Sequence, residues 1–403
     1  MKNMVQPLLS IIVPTKNREQ YAFSVARQVL AFPHDNIQLI IQNNSDTNKL
    51  GKMLSEFYED KRLKYQYTDT NISTIDNFSE AIDLSEGEYL CVIGDDDGIN
   101  PEIIKIVLWA KKNNIPAIKP GLKAVYSWPQ SGISMNKKNH NNGVLNISGI
   151  TCSVSSNNPR KELIRLMKDG CQKYLERDLV KLYHGIVKRA YMEDIKKITG
   201  SYFGGLSPDI YSAIALSSLI ETVVCIDYPL TIAGICKEST SADSATGKHT
   251  GNLEDAPHFN GHENYHWADE VPKFYSVDTI WADSALASVR DMKENDLLTC
   301  FNITALTAKC LIYYPQYSQI IQECFWNINK HRNTSKIIHG IKLCFYLCRY
   351  PFINLMPRMW RRLTRKIGVN VCITDLKDII AAEKALTNHL NNCGISLDKE
   401  LGV

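Results

Sequence analysis

The chain has 403 residues, 44% of them hydrophobic and 22% charged, enough to bury one large core or two smaller ones. A formal net charge of +3 is too small to make the whole surface a nucleic-acid-binding one, and no uninterrupted apolar run of about 18 residues exists to form a membrane span. The twelve cysteines scattered from Cys91 to Cys393 include no C-x-x-C pair, and no secretory leader opens the chain, which predicts reduced thiols in the cytoplasm.

The first hundred residues alternate strand-like apolar runs with amphipathic segments. "LLSIIVP" (8 to 14) reads as a buried strand, and "EQYAFSVARQVLAF" (19 to 32) as a helix with Ala22, Val25, Ala26, Val29 and Leu30 on one face. "IQLIIQ" is again a strand, "NKLGKMLSEFYED" a helix, "RLKYQY" a strand, and "STIDNFSEAIDLS" a helix opened by Ser73. "EYLCVI" then leads straight into Asp95, Asp96 and Asp97. Asn100 is expected to cap a further helix whose first residue is Pro101, where a missing N–H costs nothing. Such βαβ repetition predicts a mainly parallel sheet covered on both faces, with ligands beyond the carboxyl ends of its strands. The acidic triplet falls at one such end.

Three adjacent carboxylates repel one another, and a turn needs only one of them. A hard divalent cation, Mg²⁺ or Mn²⁺, would relieve that repulsion, because such ions are typically held by one or two carboxylates together with substrate phosphate oxygens.

In ordered succession "SIIVPTKNR", "IIQNNSD", "GEYLCVIGDDDGINPE", "HGIVKR" and "SPDIYSAIAL" resemble the motifs of family 2 glycosyltransferases of GT-A fold. The resemblance covers roughly residues 8 to 235. It implies an α/β, Rossmann-like catalytic domain over 1–254 and a mostly α-helical region over 255–403. It also implies inverting transfer from a nucleotide-diphosphate sugar, most simply a UDP-sugar, to a hydroxyl of a bacterial surface glycan or lipid-linked oligosaccharide.

Position by position, the resemblance places Pro14 and Thr15 beside the nucleotide base and Asn43 where the family commonly has an aspartate facing it. "QNNS" stands here for the usual "DDGS", and an amide both accepts and donates, so the base is left open. Asp96 would contact the ribose and Asp97 the metal, Asp95 would sit nearby, and Asn77 would line the same pocket. In "SPDIYSAIAL" Ser207 reads as an N-cap and Asp209 as the second helical residue, its carboxylate ionised by the helix dipole. Locally that is a cap; the family's catalytic base falls at this aspartate. His184 would lie on the acceptor side. The polar loop 236–252 would close over the diphosphate, with His249 completing the metal's ligands and Lys248 offsetting phosphate charge.

Cys324 to Thr374 contains ten Lys and Arg residues and no acidic one. With Phe345, Tyr346, Phe352 and Trp360 interspersed, it reads as an interfacial anchor for an anionic membrane, broken by Pro351 and Pro357, which would hold the protein at the inner face of the cytoplasmic membrane. Nothing resembles a nucleic-acid reading element. His258, His262 and His266 recur every four residues, a spacing that also occurs without metal. Two other classes fit less well. A nucleotidyltransferase would want glycines where "PTKNREQ" has none, and a silent nucleotide-sugar-binding or membrane scaffold would not need Asp96, Asp97 and Asp209 together.

Overall fold

The computed structural model describes residues 6–132, 142–239, 250–262, 265–330, 335–364 and 371–402, with the backbone alone over 351–364. The chain opens as its apolar pattern predicts: β1 (Leu9–Thr15), α1 (Glu19–Leu30), β2 (Ile37–Asn43), a short α2 (Lys49–Met53), β3 (Leu63–Tyr67), α3 (Thr74–Leu84) and β4 (Tyr89–Val92). Ser73 caps α3 by accepting from the Asp76 N–H at 3.0 Å. After the triplet come β5 (Gly98–Ile99) and α4 (Ile103–Lys112), which starts two residues later than Pro101. Asn100 still holds the turn that leads into the helix, its Oδ1 accepting from the Glu102 N–H at 3.1 Å while its Nδ2 donates to the Pro229 carbonyl at 2.8 Å.

The middle of the chain adds β6 (Ala117–Pro120), β7 (Ala124–Ser127), β8 (Gly143–Ile147), β9 (Val154–Asn157), α5 (Pro159–Lys168), β10 (Ile186–Lys188), α6 (Arg189–Thr199), α7 (Pro208–Leu219), β11 (Val223–Ile226) and β12 (Thr231–Ile235). The main sheet has the order β3-β2-β1-β4-β10-β6-β11-β9. Strands β1 to β4 run parallel, whereas β10 is antiparallel to both of its neighbours. This is the expected Rossmann-like half. Alternation along β1 serves two cores: Ile11 and Val13 pack with Ala22, Val25 and Val29 of α1, while Ile12 faces Ile75, Ala81 and Ile82 of α3.

Beyond β13 (Thr250–Gly251) and β14 (Tyr275–Ser276) the chain is mostly helical: α8 (Val277–Asp291), α9 (Asn295–Cys300), α10 (Ile303–Tyr313), α11 (Ser318–Lys330) and α12 (Lys336–Thr364). The expected break in α12 is absent: the helical backbone runs through both Pro351 and Pro357.

One apolar core extends across the expected boundary at residue 254. Ile210, Ala213 and Ile214 of α7 share one core with Ala282, Ala285 and Leu286 of α8. The chain's last elements return to the N-terminal half, with β15 (Val371–Leu376) pairing antiparallel with β8 and α13 (Ile379–Asn392) packing on α1 and β5. A final α14 (Asp398–Leu401) adds Leu401 to the same core. Apolar residues at both extremes of the sequence fill one interior, so the halves are not separable units.

Candidate active site

The acidic triplet lies at the carboxyl end of β4, as expected, and all three aspartates are buried. Each is held differently. Asp95 is sealed from solvent; its Oδ2 accepts from Thr15 Oγ1 at 2.6 Å, and Arg18 Nη2 lies 2.9 Å from its Oδ1 without hydrogen-bond alignment. Asp97 is saturated: Oδ1 accepts from the Gly234 N–H at 2.6 Å, and Oδ2 from the Gly94 N–H at 2.6 Å and the Tyr183 hydroxyl at 2.8 Å, with His184 Nε2 at 3.3 Å. Asp96 is less fully met among the described residues: the Cys236 N–H reaches Oδ2 at 3.1 Å, and Arg18 Nη1 lies 3.7 Å from Oδ1.

Electrostatics follow from that inventory. Three clustered carboxylates share one guanidinium, so the group holds a proton more readily than separated carboxylates would. Burial, then Asp97 and Asp95, push Asp96 up to about 7 against the pull of Arg18. Burial also raises Asp95, against Arg18 and Thr15. Burial pulls Arg18 down, but Asp95 and Asp96 outweigh it and hold the guanidinium above its ordinary value.

His184, expected on the acceptor side, is buried beside the triplet in a left-handed turn (φ 58°), Nδ1 lying 2.9 Å from Thr231 Oγ1, Nε2 3.3 Å from Asp97 Oδ2 and the ring edge-on to Tyr183. Burial lowers its pKa although Asp97 opposes this.

Asp209 stands at the start of α7, partly exposed. Ser207 is the N-cap residue but makes no side-chain cap; its N–H instead donates to Ser284 Oγ at 3.0 Å. The expectation of a dipole-stabilised carboxylate is corrected by burial, which raises Asp209 to about 6, with Lys181 opposing and Asp97 adding to the rise. Asp97 of the triplet is thus near enough to act on Asp209 electrostatically. Beneath Asp209 the Tyr174 hydroxyl donates to its backbone carbonyl at 3.3 Å, and Lys181 Nζ lies 4.4 Å from the Tyr174 ring centre. Lys181 is itself buried and brought down to about 7, chiefly by desolvation.

The residues expected at the nucleotide divide into two groups. Pro14, Thr15 and Asn43 are buried within the protein. Asn43 Nδ2 donates to the Tyr65 hydroxyl at 3.0 Å, and its Oδ1 accepts from the Ser45 N–H and hydroxyl. Its amide therefore shapes the loop after β2 and keeps one Nδ2 hydrogen uncommitted among the described residues, while Thr15 Oγ1 is held by Asp95 Oδ2. Asn77 Nδ2 reaches the Thr15 carbonyl at 3.4 Å, while its buried Oδ1 has no hydrogen-bond partner among the described residues. Lys248 and His249 lie outside the described residues.

Sequence reasoning gave no role to Arg18, Tyr183, Lys181 or Trp128, whose Nε1 fixes the Asp96 carbonyl at 2.8 Å. Arg18 alone left a signal, as the one cation that follows β1 by three residues inside "SIIVPTKNR".

The model for glycosyl transferase family 2 matches residues 10–145, the stretch that builds β1 to β4 and carries the triplet. That match covers about a third of the chain. Among curated proteins, the glycosyl transferase WcaA of Escherichia coli (strain K12), whose name assigns it to colanic acid biosynthesis, is 33% identical over 115 residues, 28% of this chain and 40% of that protein. An uncharacterized glycosyltransferase of Haemophilus influenzae is 29% identical over 110 residues, 27% of this chain and 34% of that protein. Each alignment thus spans less than half of the relative's length. Among solved structures, Staphylococcus aureus TarS residues 1–349 in complex with UDP-GlcNAc superposes with a TM-score of 0.43 at 12% identity, covering 82% of this chain and 93% of that one.

Around the acidic triplet the residues present could hold a divalent cation in one way. Among the described residues no group of three or more His, Cys, Asp or Glu side chains is arranged around a common point. The expected ligand Asp97 has both oxygens occupied by protein donors, whereas Asp96 Oδ1 is open and under-neutralised. Mg²⁺ or Mn²⁺ would therefore sit on Asp96, with diphosphate oxygens supplying the remaining ligands.

Proposed function

We propose that the protein is an inverting glycosyltransferase that moves a hexosyl or N-acetylhexosaminyl unit from a UDP-sugar to a hydroxyl of a bacterial surface glycan or lipid-linked oligosaccharide. The observation that carries this reading is Asp209. It is a partly exposed carboxyl at a helix N-terminus, raised to about 6 by burial, with Asp97 of the acidic triplet adding to the rise. A base with that pKa is still ionised at neutral pH and accepts a proton better than an ordinary carboxylate.

In the proposed step Asp209 takes the proton of the acceptor hydroxyl. The acceptor oxygen forms a bond to the anomeric carbon, and the bond from that carbon to the diphosphate oxygen breaks on the opposite face, its electron pair leaving with the diphosphate. One displacement inverts the anomeric centre. Arg18 offsets charge beside the triplet, and Asn77 Oδ1, unpartnered among the described residues, is available to a donor N–H or O–H. A divalent cation on Asp96 would supply charge neutralisation for the leaving diphosphate. The acceptor class is supported by the relative named for colanic acid biosynthesis.

A screen of nucleotide sugars by thermal shift, with and without Mn²⁺, tests the donor, because a ligand at 100 times its dissociation constant adds about 2.7 kcal/mol of stability. Release of UDP from the stabilising donor by wild-type protein, and its loss in Asp209→Asn, are the expected results. Donor binding without turnover in any acceptor mixture would favour the silent scaffold.

A further inference from the structure

Helix α12 turns one flank to the body and the other to solvent. On the inner flank His339 is buried, Leu343 packs into the helical core, and the Tyr346 hydroxyl accepts from Asn302 Nδ2 at 2.7 Å. On the outer flank Ile337, Ile341 and Phe345 are 74%, 64% and 59% exposed. Four-residue steps keep these three within about 80° of one another around the helix axis. The helical backbone continues to Thr364, and the sequence keeps the same spacing with Phe352, Leu355, Met359 and Leu363. The whole helix of 29 residues spans about 43 Å at 1.5 Å per residue.

Single exposed aliphatic side chains are commonplace on proteins, but a continuous row is not. No helix among the described residues is long and apolar enough to cross a membrane, so the row is not part of a span. Lys336, Lys342 and Arg349 are exposed beside it, within the stretch from Cys324 to Thr374 that has ten basic residues and no acidic one. That charge decides between occupants. A second copy of the same helix would bring like charges together, and a nucleic acid would leave the aliphatic row in water, whereas a bilayer carrying lipid phosphates answers both features.

We infer that α12 docks in the plane of an anionic lipid surface, with Ile337, Ile341 and Phe345 in the boundary between headgroups and acyl chains and the flanking cations against lipid phosphates. Its inner flank, held by Asn302 and the helical core, would keep the candidate active site at a fixed attitude to that surface.

Flotation of the full-length chain with vesicles of phosphatidylglycerol and phosphatidylcholine in equal parts, against phosphatidylcholine alone, tests this. The anionic vesicles should carry the protein at low salt, and high salt should release most but not all of it, since apolar contacts are not screened. The triple variant Ile337→Ser, Ile341→Ser, Phe345→Ser should partition more weakly by on the order of tenfold or more. Its thermal unfolding should stay at the wild-type temperature, because the three side chains are exposed. Lys336→Gln with Lys342→Gln should weaken binding to the anionic vesicles alone. Absence of association by the intact chain at low salt would overturn the inference. So would an oligomer, measured by light scattering, that the triple variant dissociates while vesicle binding stays unchanged.

Discussion

Asp209 and Asp97 are carboxylates near enough to act on each other electrostatically, yet their surroundings suit them to different work. Asp97 meets two backbone N–H groups, a tyrosine hydroxyl and a histidine, so it organises the protein around it. Replacing it by Asn turns an Nδ2 donor toward those donors, which should lower stability by about 1–3 kcal/mol and weaken nucleotide binding through the distorted turn. Asp96→Asn should keep the wild-type unfolding temperature and lose the Mn²⁺-dependent part of UDP affinity. Calorimetric titration of both variants separates a ligand from a support, and undiminished Mn²⁺ dependence in Asp96→Asn would remove the cation from that residue. For Asp209, a base raised to about 6 should give a kcat/KM that climbs with pH through that value and flattens above it. Asp209→Asn should lose ~10²-fold or more in transfer while keeping UDP affinity. The folded pKa lies above the ordinary 3.8, so the ionised carboxyl costs stability at any pH above about 6, and the cost vanishes where both states are protonated. The Asn variant should therefore match or exceed the wild type in thermal stability at pH 7 and lose that margin near pH 4.

What β12 contributes was not legible in the sequence. Its Gly234 carries the N–H that meets Asp97, and a Cβ there would lie 1.8 Å from the Asp96 carbonyl oxygen. Backbone packs against backbone at that point, so only glycine fits. Gly234→Ala should push the triplet's turn away from β12, lowering both the unfolding temperature and UDP affinity; an unchanged titration would mean that the strand yields freely. "TIAGI" offers no sign of this, because a glycine in a strand marks a close approach without naming its partner. The opening strands and helices were readable because each is declared by its own apolar period, and "GDDDG" was readable because adjacent charges at a strand end are costly without a counterion. The contacts of Asn43 were not readable for the complementary reason: a polar residue after a strand reads the same whether it faces a ligand or, as here, binds Tyr65 and Ser45. Those of His184 were hidden likewise, since Asp97 and Thr231 are 87 and 47 residues away in the chain.

The return of the C-terminus is the largest feature that local pattern could not announce. Helix α13 follows a long basic segment and looks like an appendage, yet Ile379, Ala382, Leu386 and Leu390 enter the same core as Leu9, Val25 and Val29. It reaches the site: a Cβ on Gly98, the residue after Asp97, would come within 2.6 Å of Ile379. The second strand of that support is α1, whose Gln28 brackets Ile99 with a hydrogen bond to its carbonyl and one from its N–H. The turn that carries the triplet is thus wedged between the beginning and the end of the chain. Ile379→Ala should cost about 2–5 kcal/mol through the cavity it leaves, and because that cavity adjoins Gly98, UDP affinity should fall with stability. A surface substitution on the same helix, such as Lys384→Ala, should change neither beyond about 0.5 kcal/mol. Deleting 371–403 should then abolish soluble, donor-binding protein, although every residue of the acidic triplet, Arg18 and Asp209 remains. The measurement is UDP titration alongside thermal unfolding of the shortened chain. Wild-type values there would make the N-terminal half an independent domain and return the C-terminal segment to the status of an accessory.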